Sequence, residues 1–164
     1  TADEIITKLQ LERHPEGGWY RQTWVASGEG RPSGTCIYFL LTAEERSHWH
    51  RVDATEIWLF HAGAELVLSL SATDEGPAQD HLLSPDLTRG APQIIVPQNH
   101  WQAARSTGDW TLVSCTVSPG FQFEGFDLRQ FTFLFELFER KSTVFRPDTK
   151  QARTDLKDDV DVAF

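Results

Sequence analysis
The chain has 164 residues, 40% of them hydrophobic, enough for one compact domain with its own core and nothing that requires a second. A formal charge of −9 with no Lys/Arg cluster excludes a nucleic-acid partner, because phosphate binding needs a dense basic face. No run of about 18 apolar residues exists, which excludes a membrane span, and Thr1-Ala2-Asp3-Glu4 lacks the basic and apolar regions of a secretion signal. With only two cysteines, Cys36 and Cys115, both inside apolar runs and read as small buried hydrophobes, the expected compartment is reducing and cytoplasmic.

In chain order, the first ten residues form a short helix: Asp3 serves as N-cap, and Ile5, Ile6 and Leu9 share one face. His14-Pro15-Glu16-Gly17-Gly18 breaks it, and His14 helps shape that turn. Trp19–Val25 resumes as a strand, followed by a Gly/Ser/Pro loop over Ser27–Ser33. Short apolar or alternating runs then recur at Thr35–Leu41, Ser47–Arg51, Glu56–Phe60, Glu65–Ser71, Asp80–Leu83, Gln93–Val96, Trp101–Arg105 and Trp110–Val117. Turn residues such as Ala62-Gly63 and Thr107-Gly108-Asp109 separate them, which is the pattern of an all-β sandwich or barrel. Beyond Pro119-Gly120 the chain is rich in phenylalanine, from Phe121 to Phe138, more than a small barrel buries alone. A homodimer, through that segment or an exposed sheet edge, is the expectation. The single domain is placed over 1–140, with a charged tail over 141–164.

The most informative segment is Ser47-His48-Trp49-His50 followed, after a turn, by Glu56-Ile57-Trp58. Alternate side chains of a strand face one side, so His48 and His50 are expected to project together. A hairpin would return Glu56 beside them. Two imidazoles and a carboxylate on one wall can hold a divalent transition metal and leave positions open for substrate. His100 and Gln102 share a face of the strand after Pro97 and are further candidates. Without metal, Glu56 and a histidine suit acid–base work; the bland reading of Glu56 is an ion pair with Arg51 or Arg21. His61 and His81 are read as ordinary strand residues.

These residues resemble the cupin superfamily. Its first motif orders Gly, His-x-His, Glu and Gly; this chain has His48-Trp49-His50, five residues, Glu56, six residues, Gly63. Its second orders Gly, Pro-x-Gly and His; here stand Gly90, six residues, Pro97-Gln98-Asn99, two residues, Gln102. The gap to Glu56 is one longer than usual, and Gln102 replaces a histidine. A neutral carbonyl donor in place of an imidazole lowers affinity for such metals. The chain is more closely similar to one branch, the small single-domain cupins of family five. The blocks that carry this include His14-Pro15-Glu16-Gly17-Gly18-Trp19-Tyr20-Arg21, Ile37-Tyr38-Phe39-Leu40-Leu41, His50-Arg51-Val52, Glu56-Ile57-Trp58, Trp101-Gln102-Ala103-Ala104 and Cys115-Thr116-Val117-Ser118-Pro119-Gly120-Phe121. In that branch His50 and Glu56 match pattern positions, His48 a variable one, and Thr55 stands where an acid is usual.

The resemblance implies a double-stranded β-helix (jelly-roll barrel) with a pocket holding His50 and Glu56 as catalytic residues, and His48, His50, Glu56 and Gln102 as metal ligands if one binds. Arg21 is read either as reaching an anionic substrate group or as a solvated or ion-paired surface residue. Tyr38, Trp58, Phe60 and Trp101 are candidates for a stacking wall, with core packing as the default reading of each. The expected activity is proton transfer on a small polar metabolite (isomerase, epimerase or lyase type). The alternatives are a metal-dependent oxygenase and a non-catalytic sugar or small-ligand-binding module. No phosphate loop, nucleophile elbow or Cys-x-x-Cys pair appears, so no nucleotide cofactor is expected.

Overall fold
The structure, a computed structural model, describes residues 1–129. The segment Phe131–Phe138 and the tail over 141–164 lie outside the described residues. Helix α1 (Ala2–Leu9) is capped by Thr1, not Asp3. Thr1 accepts from the Glu4 amide and Glu4 reaches back to the Thr1 backbone, a reciprocal pair that satisfies two otherwise orphaned donors. Asp3 falls in the first turn instead, where its charge still opposes the helix dipole favourably.

Among the described residues eleven strands follow: β1 (Glu12–Arg13), β2 (Trp19–Val25), β3 (Thr35–Thr42), β4 (Arg46–Val52), β5 (Thr55–Gly63), β6 (Leu66–Ser71), β7 (Gln79–Leu83), β8 (Gln93–Val96), β9 (Trp101–Ser106), β10 (Trp110–Ser118) and β11 (Phe126–Leu128). They form a six-stranded sheet in the order β1-β2-β3-β10-β5-β8 and a five-stranded sheet in the order β11-β4-β9-β6-β7. Every paired strand runs antiparallel to its neighbour. This is the jelly-roll architecture expected from the sequence, in which each sheet turns one face to a shared interior. The runs read from the sequence coincide with β2 to β10 to within a few residues; β1 and β11, of two and three residues, carry too little pattern to be seen.

The main core joins both sheets through Phe39, Leu41, Trp58, Leu66, Leu68 and Leu83, with Val96, Ala104, Val113 and Cys115. A smaller cluster of Val52, Ala54 and Val117 packs with Phe121 and Phe126. Phe39 and Cys115 of the first and Val52, Val117 and Phe121 of the second border the same cavity, which therefore lies between the two apolar clusters. Cys36 and Cys115 are both free thiols. Cys115 pairs with Ile37 and Cys36 with Thr116 across the same ladder, so the two thiols point to opposite faces.

Candidate functional site
The cavity has a volume of about 340 Å³. One wall comes from β2, β3 and β10: Tyr20 and Gln22, Thr35, Ile37 and Phe39, Cys115 and Val117. Glu12 of β1 and Glu56 of β5 belong to the same sheet, Glu56 pairing with Val117 and Glu12 with Tyr20, while His50 and Val52 of β4 and His14 and Glu16 of the loop docked on it line the other side. Phe121 and Phe123, the latter exposed, complete the rim.

His50 reaches this interior by a route that regular alternation does not give. In β4, Ser47 pairs with Ala104 and His50 with Gln102, so three steps on β4 oppose two on β9. This is a β-bulge, and it resets the pleat. Ser47, His50 and Val52 consequently face inward, while His48 is exposed. The expected joint projection of His48 and His50 does not occur, and His48 is not among the cavity-lining residues. Its backbone carbonyl nevertheless serves the site, lying 2.8 Å from His50 Nδ1.

Glu16 is the residue that the sequence reading passed over. The loop before β2 is held by backbone bonds from His14 to Gly18 and from Gly17 to His14, and docks on β4 where the His48 amide donates to the Glu16 carbonyl at 2.8 Å. Gly17 has φ +106°, a left-handed conformation disfavoured for other residues, and a Cβ there would overlap the Arg46 carbonyl oxygen. Only glycine lets the loop run this close to β4. The result is a Glu16 side chain at 6% exposure. Its Oε1 accepts from Ser47 Oγ at 2.8 Å, and its Oε2 lies 3.3 Å from His50 Nε2 and 3.4 Å from His14 Nδ1. The available signal was the loop itself: a lone acid between proline and paired glycines, in a segment whose backbone is constrained.

Protonation follows from these contacts. A carbonyl oxygen only accepts, so His50 Nδ1 carries a hydrogen for His48, and Nε2 is the titrating nitrogen. A lone pair on Nε2 facing a carboxylate would be repulsive; a proton must lie between them. Burial holds the Glu16 carboxyl above the usual range, countered in part by His14 and the Ser47 hydroxyl. Burial also holds His50 below the ordinary imidazole value, against the pull of Glu56. Both directions favour the uncharged forms, and the contact holds one proton between Glu16 and His50. His14 is likewise pushed down by burial; the Glu16 amide donates to its Nδ1 at 3.3 Å.

Glu56, also at 6% exposure, opens β5 facing inward with Trp58. Burial raises its carboxyl above the usual range and the nearby Glu16 adds to this, while His50 and the Gln102 amide oppose it. Gln102 is fully buried and fixed from both ends. The Trp58 indole can only donate, so Gln102 Oε1 accepts from it at 2.9 Å and Nε2 donates to Glu56 Oε2 at 2.6 Å. Gln102 thus supports Glu56 from behind. Cys115 lines the cavity next to Glu56, and burial pushes its thiol well up, which keeps it a weak nucleophile.

The four expected metal ligands do not converge. His48 is outside the cavity, the Gln102 carbonyl is taken by Trp58, and among the described residues no three His, Cys, Asp or Glu side chains are grouped to hold one ion. His100 is not a cavity-lining residue either; its Nδ1 lies 3.4 Å from the Gln98 carbonyl.

None of the five expected substrate-binding residues lines the cavity. Because Tyr20 and Gln22 face in, Arg21 faces out, stacked over Tyr38 at 5.9 Å and donating to Gln10. Tyr38 faces out for the same reason, between Ile37 and Phe39, and meets His61 edge-on. Trp58 is core, edge-on to Phe39, and Phe60 packs against that core. Trp101 is buried, donates to Asp74 at 2.6 Å, and carries Arg51 and Arg129 over its ring. Arg51 pairs with Asp127 and Asp74, not with Glu56.

Residues 3–129 match the family model described as Cupin superfamily (DUF985). The chain belongs to this cupin family. Two solved structures support the assignment over nearly their whole length. A hypothetical protein from Leishmania major is 31% identical with a TM-score of 0.74, over 85% of this chain and 93% of that one. A protein from Shewanella oneidensis is 35% identical with a TM-score of 0.77, over 88% and 98%. Oxalate decarboxylase from Bacillus subtilis, at 10% identity and a TM-score of 0.56 over 80% of this cupin and 34% of that chain, shares the fold alone. No curated protein matches the sequence. Among the described residues of this cupin, no helix is long and apolar enough to cross a membrane.

Proposed function
We propose that this cupin is an enzyme that moves protons on a small polar metabolite, by isomerase, epimerase or lyase chemistry. The observation that carries the reading is the Glu16–His50 contact of 3.3 Å, which requires a proton between two buried groups at the wall of a ligand-sized cavity. His50 Nε2 is the base that becomes free when Glu16 rotates its proton toward substrate. His48 holds the imidazole in one tautomer from the other side, as a fixed acceptor. Glu56, held by Gln102, supplies a second carboxyl whose environment differs from that of Glu16, so that one group can give a proton while another takes one. The fold is compatible with small-molecule chemistry, since an oxalate decarboxylase is among its distant likenesses. Homodimerisation belongs to the same reading and is supported by β8, an edge strand with Ile95 more than half exposed.

The test is a solvent-exchange screen. Small hydroxy, keto and amino compounds and sugars are incubated with the protein in D₂O and followed by proton NMR. Deuterium incorporation at carbon, or appearance of an epimer, reduced at least 100-fold in both His50→Ala and Glu56→Gln, is the expected result. A compound that binds in the cavity but is neither exchanged nor converted, across the screen, would replace the enzyme with a binding module.

A further inference from the structure
Of the residues that line the cavity, Glu12, Glu16 and Glu56 are acids, and among the described residues none that lines it is a lysine or arginine. The two histidines there do not supply a compensating cation: His50 shares one proton with Glu16, and burial holds both imidazoles below their ordinary value. The same cavity presents π faces: Tyr20, Phe39, Phe121 and Phe123. Phe121 and Phe123 meet edge-to-face with centroids 5.1 Å apart, so their rings present differently oriented faces to the same space. Carboxyl groups and aromatic faces lining one cavity form the environment that stabilises a compact organic cation, and one that repels an anion with no partner to offer it.

We infer that the ligand of this cavity is a small cation of the ammonium class, with its charged nitrogen between Glu56 and the Phe121/Phe123 rim. The inference rests on the cavity being the ligand site, as in the proposed function, but not on any turnover there. It reverses the sequence-based expectation of an anionic group met by Arg21, which faces out of the cavity. A neutral ligand would find hydrogen-bonding groups here but nothing to reward it over a cation. An anion would have to bring its own counter-charge.

Three molecules of one shape and different charge test this: choline, 3,3-dimethylbutan-1-ol and 3,3-dimethylbutanoate, each titrated calorimetrically into the full chain. Choline is expected to bind at least tenfold more tightly than the neutral alcohol, and the carboxylate not to bind. Phe123→Leu keeps an apolar side chain at an exposed position where folding is not at stake. It should weaken choline about three- to fivefold and leave the alcohol unchanged, the signature of a lost π face. Glu56→Gln, with its fold verified by thermal unfolding, should narrow the gap between choline and the alcohol. Equal affinities for the three molecules, a preference for the alcohol or the carboxylate, or no binding of choline would each overturn the inference. Choline selectivity without carbon-bound hydrogen exchange on any compound would leave this inference standing and remove the enzymatic reading. Exchange on a carboxylic acid with no preference for choline would do the reverse.

Discussion

Glu16 Oε2 and His50 Nε2 lie 3.3 Å apart at the cavity wall, although one comes from a loop before β2 and the other from β4. Ser47 bonds Glu16 at 2.8 Å and sits 3.5 Å from His50 Nδ1, so the three side chains are fixed as a unit by the bulge in β4. The proton this contact requires makes stability depend on pH. Above the ordinary glutamate pKa of about 4.3 the unfolded chain gives up its proton. The native state keeps it, because burial holds Glu16 high. The folded state then binds more protons than the unfolded one, and stability falls as pH rises through that window. His14 and His50, held low by burial, act oppositely. Below about pH 6.5 the unfolded chain takes up protons that the native state refuses, so this contribution grows with rising pH.

Glu16→Gln separates the two effects. The amide keeps the shape of the protonated acid, donating to His50 and accepting from Ser47, but has no proton to lose. Urea denaturation between pH 5 and pH 8 should show the variant gaining on the parent as pH rises, by at most about 1.4 kcal/mol per pH unit for one proton. Proton-transfer activity should be lost at every pH. A stability difference independent of pH would mean that Glu16 is ionised in the native state.

The two histidines of the His-x-His segment should behave as different residues. His50→Ala removes the only cavity-lining imidazole on β4 and is expected to lower proton-transfer activity at least 100-fold. His48→Ala changes a side chain on the outer side of the bulge and should leave activity within about twofold, since the carbonyl that orients His50 belongs to the backbone. Steady-state rates on a substrate found by solvent exchange check this, and equal losses would contradict the placement of His48.

Gln102→Leu leaves the Trp58 indole hydrogen and a Glu56 oxygen without their buried partner. Each orphaned group costs about 1–3 kcal/mol, so a loss of about 2–5 kcal/mol in urea denaturation is expected. Because Glu56 is no longer held, activity should fall in the fraction that remains folded. A loss under about 1 kcal/mol would show that the pair finds other partners.

Gly17→Ala introduces a Cβ against the Arg46 carbonyl oxygen at a φ of +106°. The strain is about 1–3 kcal/mol and is relieved only by lifting the loop from β4. With Glu16 withdrawn, the His50 imidazole loses its closest carboxyl partner. The NMR titration of His50 should change with the loop displaced, in parallel with reduced denaturant stability, whereas an unchanged His50 titration would place Glu16 elsewhere.

Much of the barrel was legible because its signals are local. Alternation over Thr35–Thr42 and Trp110–Ser118 follows from the pleat of a single strand, and the turns between strands follow from glycine and proline chemistry. Glu56 was legible for the same reason, since it shares a face with Trp58 along an uninterrupted stretch of β5. His48 was misplaced because the bulge in β4 exists only in its register with β9, and no spacing within Ser47–His50 reveals it. The aromatic candidates failed on direction: Trp58 and Trp101 are buried in packing, and Tyr38 points to the opposite face from its cavity-lining neighbours.

By itself, then, the sequence determined a barrel or sandwich of short strands, the inward face of Glu56 and the lack of a basic cluster, because each depends on residue type and short-range periodicity, while the jelly-roll and the pocket place of His50 came from the family resemblance. Only the tertiary structure decided that Glu16 joins them from a loop 31 residues before Ser47, that Gln102 is tied to Trp58 and Glu56, and that His48 turns away. Those outcomes depend on strand register and on burial, and both are properties of segments packed together that neither segment carries alone.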